Sequence, residues 1–269
     1  MRVLVFDSGV GGLSVAREIA AALPGACLHY LADTAVFPYG ALEPDVLVAR
    51  VVDLIGGAVA TSAPAAVVIA CNTASTLVLG PLRARFPMPI VGTVPAVKPA
   101  AETSRSRMVS VLATPGTVKR DYTRDLIATH GGDCRFTLVG SARLAELVED
   151  VHGSRSVPDE AFAAEIAPCF VEADGRRTDT VVLACTHYPL VLDRLRRLAP
   201  WPVTWIDPAP AIARRTAVVT AEAAQGWAAG DSTGPNRFFA TGRLPETAFL
   251  ARFGFPAAES FAAAATVPA

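Results

Sequence analysis

The sequence predicts an α/β protein made of two similar domains, each built on an open parallel sheet. Short apolar runs alternate with helical patterns, an arrangement typical of parallel sheets that carry helices on both faces. Two of the runs end alike, at Cys71-Asn72-Thr73 and at Cys185-Thr186-His187, one in each half of the chain. A loop of small residues also follows an earlier run in each half, at Asp7–Gly12 and at Thr114–Thr117. This repeated order indicates two flavodoxin-like domains, with the active site in the cleft between them.

The individual elements follow from the same patterns. The first strand is Val3-Leu4-Val5-Phe6, and its counterpart in the second half is Val109-Ser110-Val111-Leu112. Strands are predicted near residues 3–6, 27–32, 66–70, 89–92, 108–113, 134–139, 180–184 and 203–206, with a further short one near 237–240. Helices are predicted between them, among others at 12–22, 43–60, 117–129, 158–173 and 209–225.

Proline and polar residues mark where the chain passes between the two domains. Pro95, Pro99 and the polar run 103–107 indicate the first crossing, and the prolines between residues 200 and 210 indicate the return. We therefore expect one domain from residues 1–95 plus 207–269, and a second from 96–206. The alanine-rich tail after Phe261 is predicted to be poorly ordered.

Composition excludes several classes of protein. The chain has 269 residues, of which 52% are hydrophobic and 18% charged, which suffices for two buried cores and argues against disorder. A net charge of −1 does not indicate the basic surface that binding to nucleic acid or to an anionic membrane requires. An odd count of five cysteines fits a reducing cytoplasm. We interpret Cys27, Cys134 and Cys169 as structural, since no polar signature flanks them.

The first small-residue loop allows two interpretations. Gly9-Val10-Gly11-Gly12-Leu13-Ser14 nearly matches the dinucleotide fingerprint, and Asp33 lies about where a ribose-binding acid belongs. This would make the chain a nicotinamide-dependent oxidoreductase. The alternative is a tight strand-to-helix turn whose exposed amides bind an anion such as a carboxylate.

The two matched thiols also leave alternatives open. His187 could be an ordinary buried histidine, and Cys71, Cys185 and His187 could form a zinc site with one open position. A disulfide between the cysteines, or a Cys–His nucleophile of the hydrolase type, is a further option. Two thiols at matched positions best suit inversion of a stereocentre, in which one base removes a proton and an acid on the opposite face returns another. Asp7 in the first half and His187 in the second half would then assist the transfer of protons to and from the two thiols.

At this point the chain resembles a known family, the cofactor-independent aspartate/glutamate racemase superfamily, and within it the glutamate racemases. The resemblance extends from residue 6 to residue 190, in the order found in the family. The matching motifs are Phe6-Asp7-Ser8-Gly9-Val10-Gly11-Gly12-Leu13-Ser14-Val15, Pro38-Tyr39-Gly40, Cys71-Asn72-Thr73-Ala74, Ala113-Thr114-Pro115-Gly116-Thr117 and Cys185-Thr186-His187-Tyr188-Pro189-Leu190.

The resemblance implies a 1,1-proton transfer that interconverts L- and D-glutamate and supplies D-glutamate for peptidoglycan. It implies that Cys71 takes the α-proton of D-glutamate and Cys185 that of L-glutamate, with Asp7 and His187 assisting. It also implies a set of residues that hold the substrate: Asp7, Ser8, Tyr39, Gly40, Asn72, Thr73, Thr114, Thr117, Thr186 and His187. Glu149 is a candidate assisting acid, although Ser141-Ala142 replaces the Cys-Pro pair that often precedes this stretch in the family. From the residues alone, Glu149 could equally be a solvated acid and Pro38-Tyr39-Gly40 an ordinary turn.

We expect no cofactor and no metal. A pyridoxal-phosphate enzyme needs a Schiff-base lysine, and the chain offers only Lys98 and Lys119. The expected partner is a small molecule, L- or D-glutamate, and we expect a cytoplasmic homodimer that binds neither nucleic acid nor membrane. The remaining alternatives are a racemase for aspartate or another amino acid, and a binding protein without turnover.

Overall fold

The computed structural model describes residues 1–223 and 234–262. The contacts divide the chain into two compact units. Unit one comprises Met1–Thr93 with the described part of Ala209–Ala269, and unit two comprises Val94–Pro208. From residue 263 onward, the tail predicted to be poorly ordered lies outside the described residues.

Helices and strands alternate along most of the described chain. The strands are β1 (Arg2–Asp7), β2 (Cys27–Ala32), β3 (Ala66–Ile69), β4 (Ile90–Gly92), β5 (Met108–Ala113), β6 (Arg135–Gly140), β7 (Glu172–Ala173), β8 (Arg176–Arg177), β9 (Thr180–Ala184), β10 (Thr204–Ile206), β11 (Arg237–Ala240) and β12 (Ala258–Ser260). The α-helices are α1 (Leu13–Ala22), α2 (Pro44–Ser62), α3 (Asn72–Arg85), α4 (Val97–Thr103), α5 (Pro115–Val118), α6 (Asp121–His130), α7 (Leu144–His152), α8 (Asp159–Ile166), α9 (Leu192–Leu198), α10 (Ala209–Ala223) and α11 (Thr247–Ala251). Among the described helices, none is both long enough and apolar enough to cross a bilayer.

Unit one is built on a parallel sheet with the described strand order β12-β11-β2-β1-β3-β4. Strands β1, β2 and β3 are buried along almost their whole length. Strands covered on both faces need continuous apolar runs, which is why Val3-Leu4-Val5-Phe6 shows no alternation. Burying each large side chain of this kind contributes roughly 1.5–3 kcal/mol. The α/β class predicted from these runs is confirmed.

Unit two has a four-stranded parallel sheet in the order β10-β9-β5-β6. Read from its other edge, the order is β6-β5-β9-β10, which matches β2-β1-β3-β4 of unit one strand for strand. In unit one, β3 therefore pairs with β1, and in unit two β9 pairs with β5 in the same way. Since β3 precedes Cys71 and β9 precedes Cys185, the two thiols occupy equivalent places in the two sheets.

Two helix predictions need correction. The helix predicted at 158–173 ends at Ile166, because the ring of Pro168 has no N–H to continue it and favours a short 3₁₀ turn instead. The antiparallel pair β7–β8 follows, joined by Asp174 and Gly175, which both have positive φ as a type I′ turn requires. The helix predicted at 117–129 is instead two helices, α5 and α6. Residues 224 and 225 of the helix predicted at 209–225 lie outside the described residues.

The loop after β1 is closely packed around Gly12. The Tyr30 hydroxyl donates a 2.8 Å hydrogen bond to the carbonyl oxygen of Gly9, and its ring stacks on Phe238 with centroids 4.7 Å apart. A Cβ atom at Gly12 would lie 2.7 Å from the Tyr30 hydroxyl and 2.9 Å from the Cβ of Asp7. Glycine is required here by space, since its φ of −63° suits any residue.

Gly12→Ala should therefore destabilise the protein by about 1–3 kcal/mol, as overpacking does. The matched control is Gly80→Ala in α3, where an added Cβ has no atom within 4 Å and alanine favours the helix by about 0.5–1 kcal/mol. Urea denaturation measures both changes. Equal midpoints for the two variants would show that the Gly12 loop is not tightly packed.

Candidate active site

Cys71 lies at the carboxyl end of β3, beside the end of β1. The register pairs Phe6 with Ile69, and the Ala70 N–H donates a 2.8 Å hydrogen bond to the Phe6 carbonyl. Helix α3 begins at the next residue, so the thiol sits in the short turn between strand and helix. The Cys71 thiol is buried and lies 3.7 Å from the hydroxyl of Ser8. The sheet thus brings Cys71 and the loop after β1 into contact.

Asp7 ends β1 and is fully buried. One of its carboxylate oxygens accepts a 2.8 Å hydrogen bond from the N–H of Gly9, which stabilises the loop that carries Ser8. Tyr39 and Gly40 lie in a short 3₁₀ turn that packs against α3. We call Asp7, Ser8, Tyr39, Gly40, Cys71, Asn72 and Thr73 the Cys71 cluster.

Asn72 is the least satisfied polar side chain of this cluster. It is 3% exposed, and among the described residues neither its amide nitrogen nor its amide oxygen has a hydrogen-bond partner. A buried amide without partners costs about 1–3 kcal/mol. An uncompensated amide beside a thiol is therefore placed to bind a ligand that supplies both an acceptor and a donor.

Cys185 occupies the equivalent place in unit two. Ala113 pairs with Ala184, so Thr114 and Cys185 follow neighbouring strands at one edge of the sheet. The Thr114 hydroxyl accepts a hydrogen bond from the Thr117 N–H at 3.3 Å and lies 3.1 Å from the Thr117 hydroxyl. Thr186 is buried next to the thiol in the chain.

His187 connects the Cys185 thiol to a carboxylate. Its Nδ1 lies 3.8 Å from the sulfur, and its Nε2 lies 3.0 Å from Oε1 of Glu149 on α7. Burial by itself lowers the pKa of the His187 imidazole, but the hydrogen bonds and charges of Cys185 and Glu149 raise it, and the net pKa lies well above the ordinary value. In the resulting imidazolium both N–H groups donate, one toward the sulfur and one to Glu149. We call Thr114, Thr117, Glu149, Cys185, Thr186 and His187 the Cys185 cluster.

These contacts bear on two of the alternatives, the solvated acid at Glu149 and the ordinary core histidine at His187. Glu149 is no solvated acid, since its side chain is only 24% exposed and contacts His187. His187 is buried, but its ring bridges a thiol and a carboxylate, unlike an ordinary core histidine. All five cysteines lie in the described chain, and none of them forms a disulfide. Within residues 1–223 and 234–262, no group of three His, Cys, Asp or Glu side chains is arranged to hold a metal ion.

Asp33 does not have the surroundings that a ribose-binding acid needs. It is fully buried, and its two oxygens already accept hydrogen bonds from Tyr39, Arg50 and Thr241. Arg50 was not among the residues predicted for the site. Nothing in the sequence could have revealed the contact, because Asp33 and Arg50 lie on different elements and match no spacing rule.

The chain is similar in sequence and in fold to known racemases. The family model described as Asp/Glu/Hydantoin racemase matches residues 11–216. Glutamate racemases from Mesorhizobium japonicum and Sinorhizobium medicae are 60% and 58% identical over 79% of this chain and 82% and 79% of theirs. The crystal structure of Escherichia coli glutamate racemase in complex with L-glutamate and the activator UDP-MurNAc-Ala is similar too. It has a TM-score of 0.89 and 39% identity, and the match covers 98% of each chain.

The His187–Glu149 pair should make stability depend on pH. A histidine whose folded-state pKa is raised stabilises the fold fully below its unfolded pKa of about 6.5, and loses this effect as pH rises through the folded-state pKa. Glu149→Gln should lower the free energy of unfolding by about 1–3 kcal/mol below pH 6.5, and the deficit should shrink as the pH rises through the folded-state pKa of His187.

Urea denaturation over this pH range measures the effect, with Glu146→Gln as the control because Glu146 lies exposed on the same helix. The control should follow the parent protein at every pH. A deficit for Glu149→Gln that stays constant with pH would contradict the assignment of an imidazolium to His187.

Proposed function

The chain belongs to the Asp/Glu/hydantoin racemase family, and we propose that it is a glutamate racemase that interconverts L- and D-glutamate without a cofactor. Glutamate is supported as the substrate by the glutamate racemases to which the chain is similar. The D-glutamate produced would supply peptidoglycan synthesis. We propose that the active enzyme is a homodimer in the cytoplasm.

The buried Asn72 amide beside the Cys71 thiol is the observation that carries the proposal. An amino acid has a carboxylate that accepts hydrogen bonds and an ammonium that donates them. The amide N–H₂ can donate to the carboxylate, and the amide oxygen can accept from the ammonium. A zwitterion bound here would satisfy both orphaned atoms and place its α-carbon near the sulfur.

In the proposed reaction, the α-C–H bond of glutamate breaks and a thiolate takes the proton. The thiol of the other cysteine then donates its proton to the opposite face of the carbanion, so atoms and charge balance without an oxidant or a reductant. Cys71 would deprotonate D-glutamate, and Cys185 would deprotonate L-glutamate. After each turnover the two thiols have exchanged roles, and protons exchanged with water restore the starting state.

The surroundings of each thiol suit this exchange of protons. His187 lies within reach of the Cys185 sulfur and is held by Glu149, so its imidazolium can donate a proton to that sulfur and the resulting imidazole can take it back. Ser8 lies next to the Cys71 sulfur, and Asp7 stabilises the loop that positions Ser8. We propose that Asp7, His187 and Glu149 assist the two cysteines.

The proposal further assigns the binding of the substrate to both clusters. The residues proposed to hold glutamate are Asp7, Ser8, Tyr39, Gly40, Asn72, Thr73, Thr114, Thr117, Thr186 and His187. We propose that residues 1–95 plus 207–269 form one domain and residues 96–206 the second, and that each domain supplies one of the two cysteines.

Asn72→Ala should separate substrate binding from stability. Because hydrogen bonds to a charged group are worth about 1.5–3 kcal/mol, KM for glutamate should rise about tenfold or more. Stability should not fall, since among the described residues the amide has no partner to lose. Initial-rate kinetics and urea denaturation measure the two quantities.

Thr76→Ala is the control on the same helix, because the Thr76 hydroxyl donates a hydrogen bond to the carbonyl oxygen of Thr73 in that helix. It should leave KM close to the parent value. An unchanged KM together with a loss of stability in Asn72→Ala would remove Asn72 from the binding site.

The two-thiol reaction predicts where deuterium appears. In deuterated water and without added cofactor, L-glutamate should lose its optical rotation, and early D-glutamate should carry deuterium at Cα while the remaining L-glutamate stays protiated. The same should hold from D-glutamate. L-aspartate in parallel tests the choice of substrate, and a need for added NAD or pyridoxal phosphate would contradict the proposed reaction.

Cys71→Ala and Cys185→Ala should each abolish racemisation in both directions, since each thiol is the base one way and the acid the other. Cys27→Ala, Cys134→Ala and Cys169→Ala should keep most of the activity. Burial raises the pKa of the Cys169 thiol to about 12, so that thiol stays protonated near neutrality and offers no base. Transfer of substrate protium to the product would instead indicate a single base.

A further inference from the structure

Asp33 is a buried carboxylate beneath the turn that carries Tyr39. It accepts four hydrogen bonds of 2.6 Å, one from the Tyr39 hydroxyl, two from the Arg50 guanidinium and one from the Thr241 hydroxyl. Neither the deprotonation nor the reprotonation of glutamate uses this group. Its full burial nevertheless makes it one of the most costly side chains in unit one to desolvate.

The charge of Asp33 is compensated by Arg50. Two donors of the guanidinium bond to the two carboxylate oxygens, which is the bidentate geometry that favours arginine over lysine. Arg50 lies on α2, and its side chain is one-third exposed. Its guanidinium therefore reaches from the surface to the buried carboxylate of Asp33. With this pairing the carboxylate is fixed in direction, and its remaining lone pairs are available to orient other groups.

Thr241 adds a third chain segment to the network. Its hydroxyl donates to Asp33 and accepts a 3.2 Å hydrogen bond from the N–H of Ala35. The next residue, Gly242, donates to the hydroxyl of Thr34, and a Cβ atom there would lie 2.8 Å from the Cα of Ala35. The segment after β11 is therefore fitted closely against the chain that leads from Asp33 to Tyr39.

Tyr39 is the member of the network that lies in the Cys71 cluster. It is 2% exposed, its turn packs against α3, and its ring lies in the same apolar cluster as the Cys71 side chain. Burial and the charge of Asp33 raise the pKa of the Tyr39 phenol far above its ordinary value, and the charge of Cys71 raises it further. The phenol thus stays neutral, with its proton donated to Asp33.

We propose that Asp33, held by Arg50 and Thr241, is a positioning residue that fixes Tyr39 and the adjoining Gly40 in the geometry that binds the substrate beside Cys71. The inference rests on the proposed racemase function and adds to it residues that do not contact the substrate. It also predicts the type of defect that follows when the network is broken. Because the network orients a binding turn and takes no part in proton transfer, its loss should raise KM and leave kcat nearly unchanged.

A double-mutant cycle on KM tests the proposal. Asp33→Asn removes the charge and should raise KM for both enantiomers about tenfold, with kcat within about threefold of the parent. In a Tyr39→Phe background the phenol no longer bonds to residue 33, so the same substitution should change KM by no more than about twofold. Equal effects in the two backgrounds would overturn the proposal.

Two milder variants keep the test decisive if Asp33→Asn does not fold. Thr241→Val removes one hydroxyl, and Arg50→Lys keeps the charge but loses the bidentate fork; each should raise KM severalfold with kcat retained. The matched control is Asp179→Asn in unit two, whose carboxylate also accepts four hydrogen bonds, from Ser104, Arg105, Ser106 and Thr180.

Asp179→Asn should lower the urea midpoint without changing KM. If Thr241→Val and Arg50→Lys also lose only stability, the network is structural and the proposal is wrong. Failure of the proposed function would look different, because the parent protein would then not racemise glutamate at all.

Discussion

The position of each thiol depends on the register between two neighbouring parallel strands. Phe6 pairs with Ile69 in unit one, and Ala113 pairs with Ala184 in unit two. A slip of one residue would turn every side chain of β3 or β9 to the other face of its sheet. Both strands are fully buried, so such a slip would misplace an entire row of core contacts along with the cysteine. The packing of the sheets therefore fixes the chemistry at their edges.

The two thiols nonetheless have different polar surroundings. Cys185 is linked through His187 to Glu149, whereas Cys71 lies beside the neutral hydroxyl of Ser8. Enantiomers have equal free energies in water, so a racemase must have equal kcat/KM in its two directions. The difference in surroundings can therefore give the two enantiomers of the proposed substrate different kcat and KM values, but it cannot favour one product at equilibrium. A true mirror arrangement of side chains is thus unnecessary for the reaction.

Much of the fold could be predicted from the sequence because strands buried on both faces are continuous apolar runs. Val67-Val68-Ile69 and Val181-Val182-Leu183 are runs of this kind, and the structure places both as central strands. The helix predicted at 158–173 was wrong beyond Ile166, where Pro168 and the Asp174-Gly175 turn outweigh helical spacing.

The site was less accessible to such reasoning. Motifs identified the two cysteines and His187, but the contact of Glu149 with His187 joins α7 to the turn after β9, which no local spacing encodes. The link from Asp33 to Arg50 and Thr241 likewise depends on tertiary contacts. Asp33 by itself suggested a ribose-binding acid, because only its partners show that its oxygens are already occupied.

The hydrogen bond between Thr241 and Asp33 also bears on how the chain acquires its structure during synthesis. The two residues are 208 positions apart, and β11 pairs with β2 in the sheet of unit one. At a ribosomal rate of ~5–20 residues per second, the edge of β2 waits about 10–40 seconds for its neighbour. Residues 94–208 are complete before then, so unit two can fold while the first-made segment still has an unpaired strand edge. Until β11 is synthesised, the open edge of β2, in the unit that carries Cys71, can therefore pair with another nascent chain.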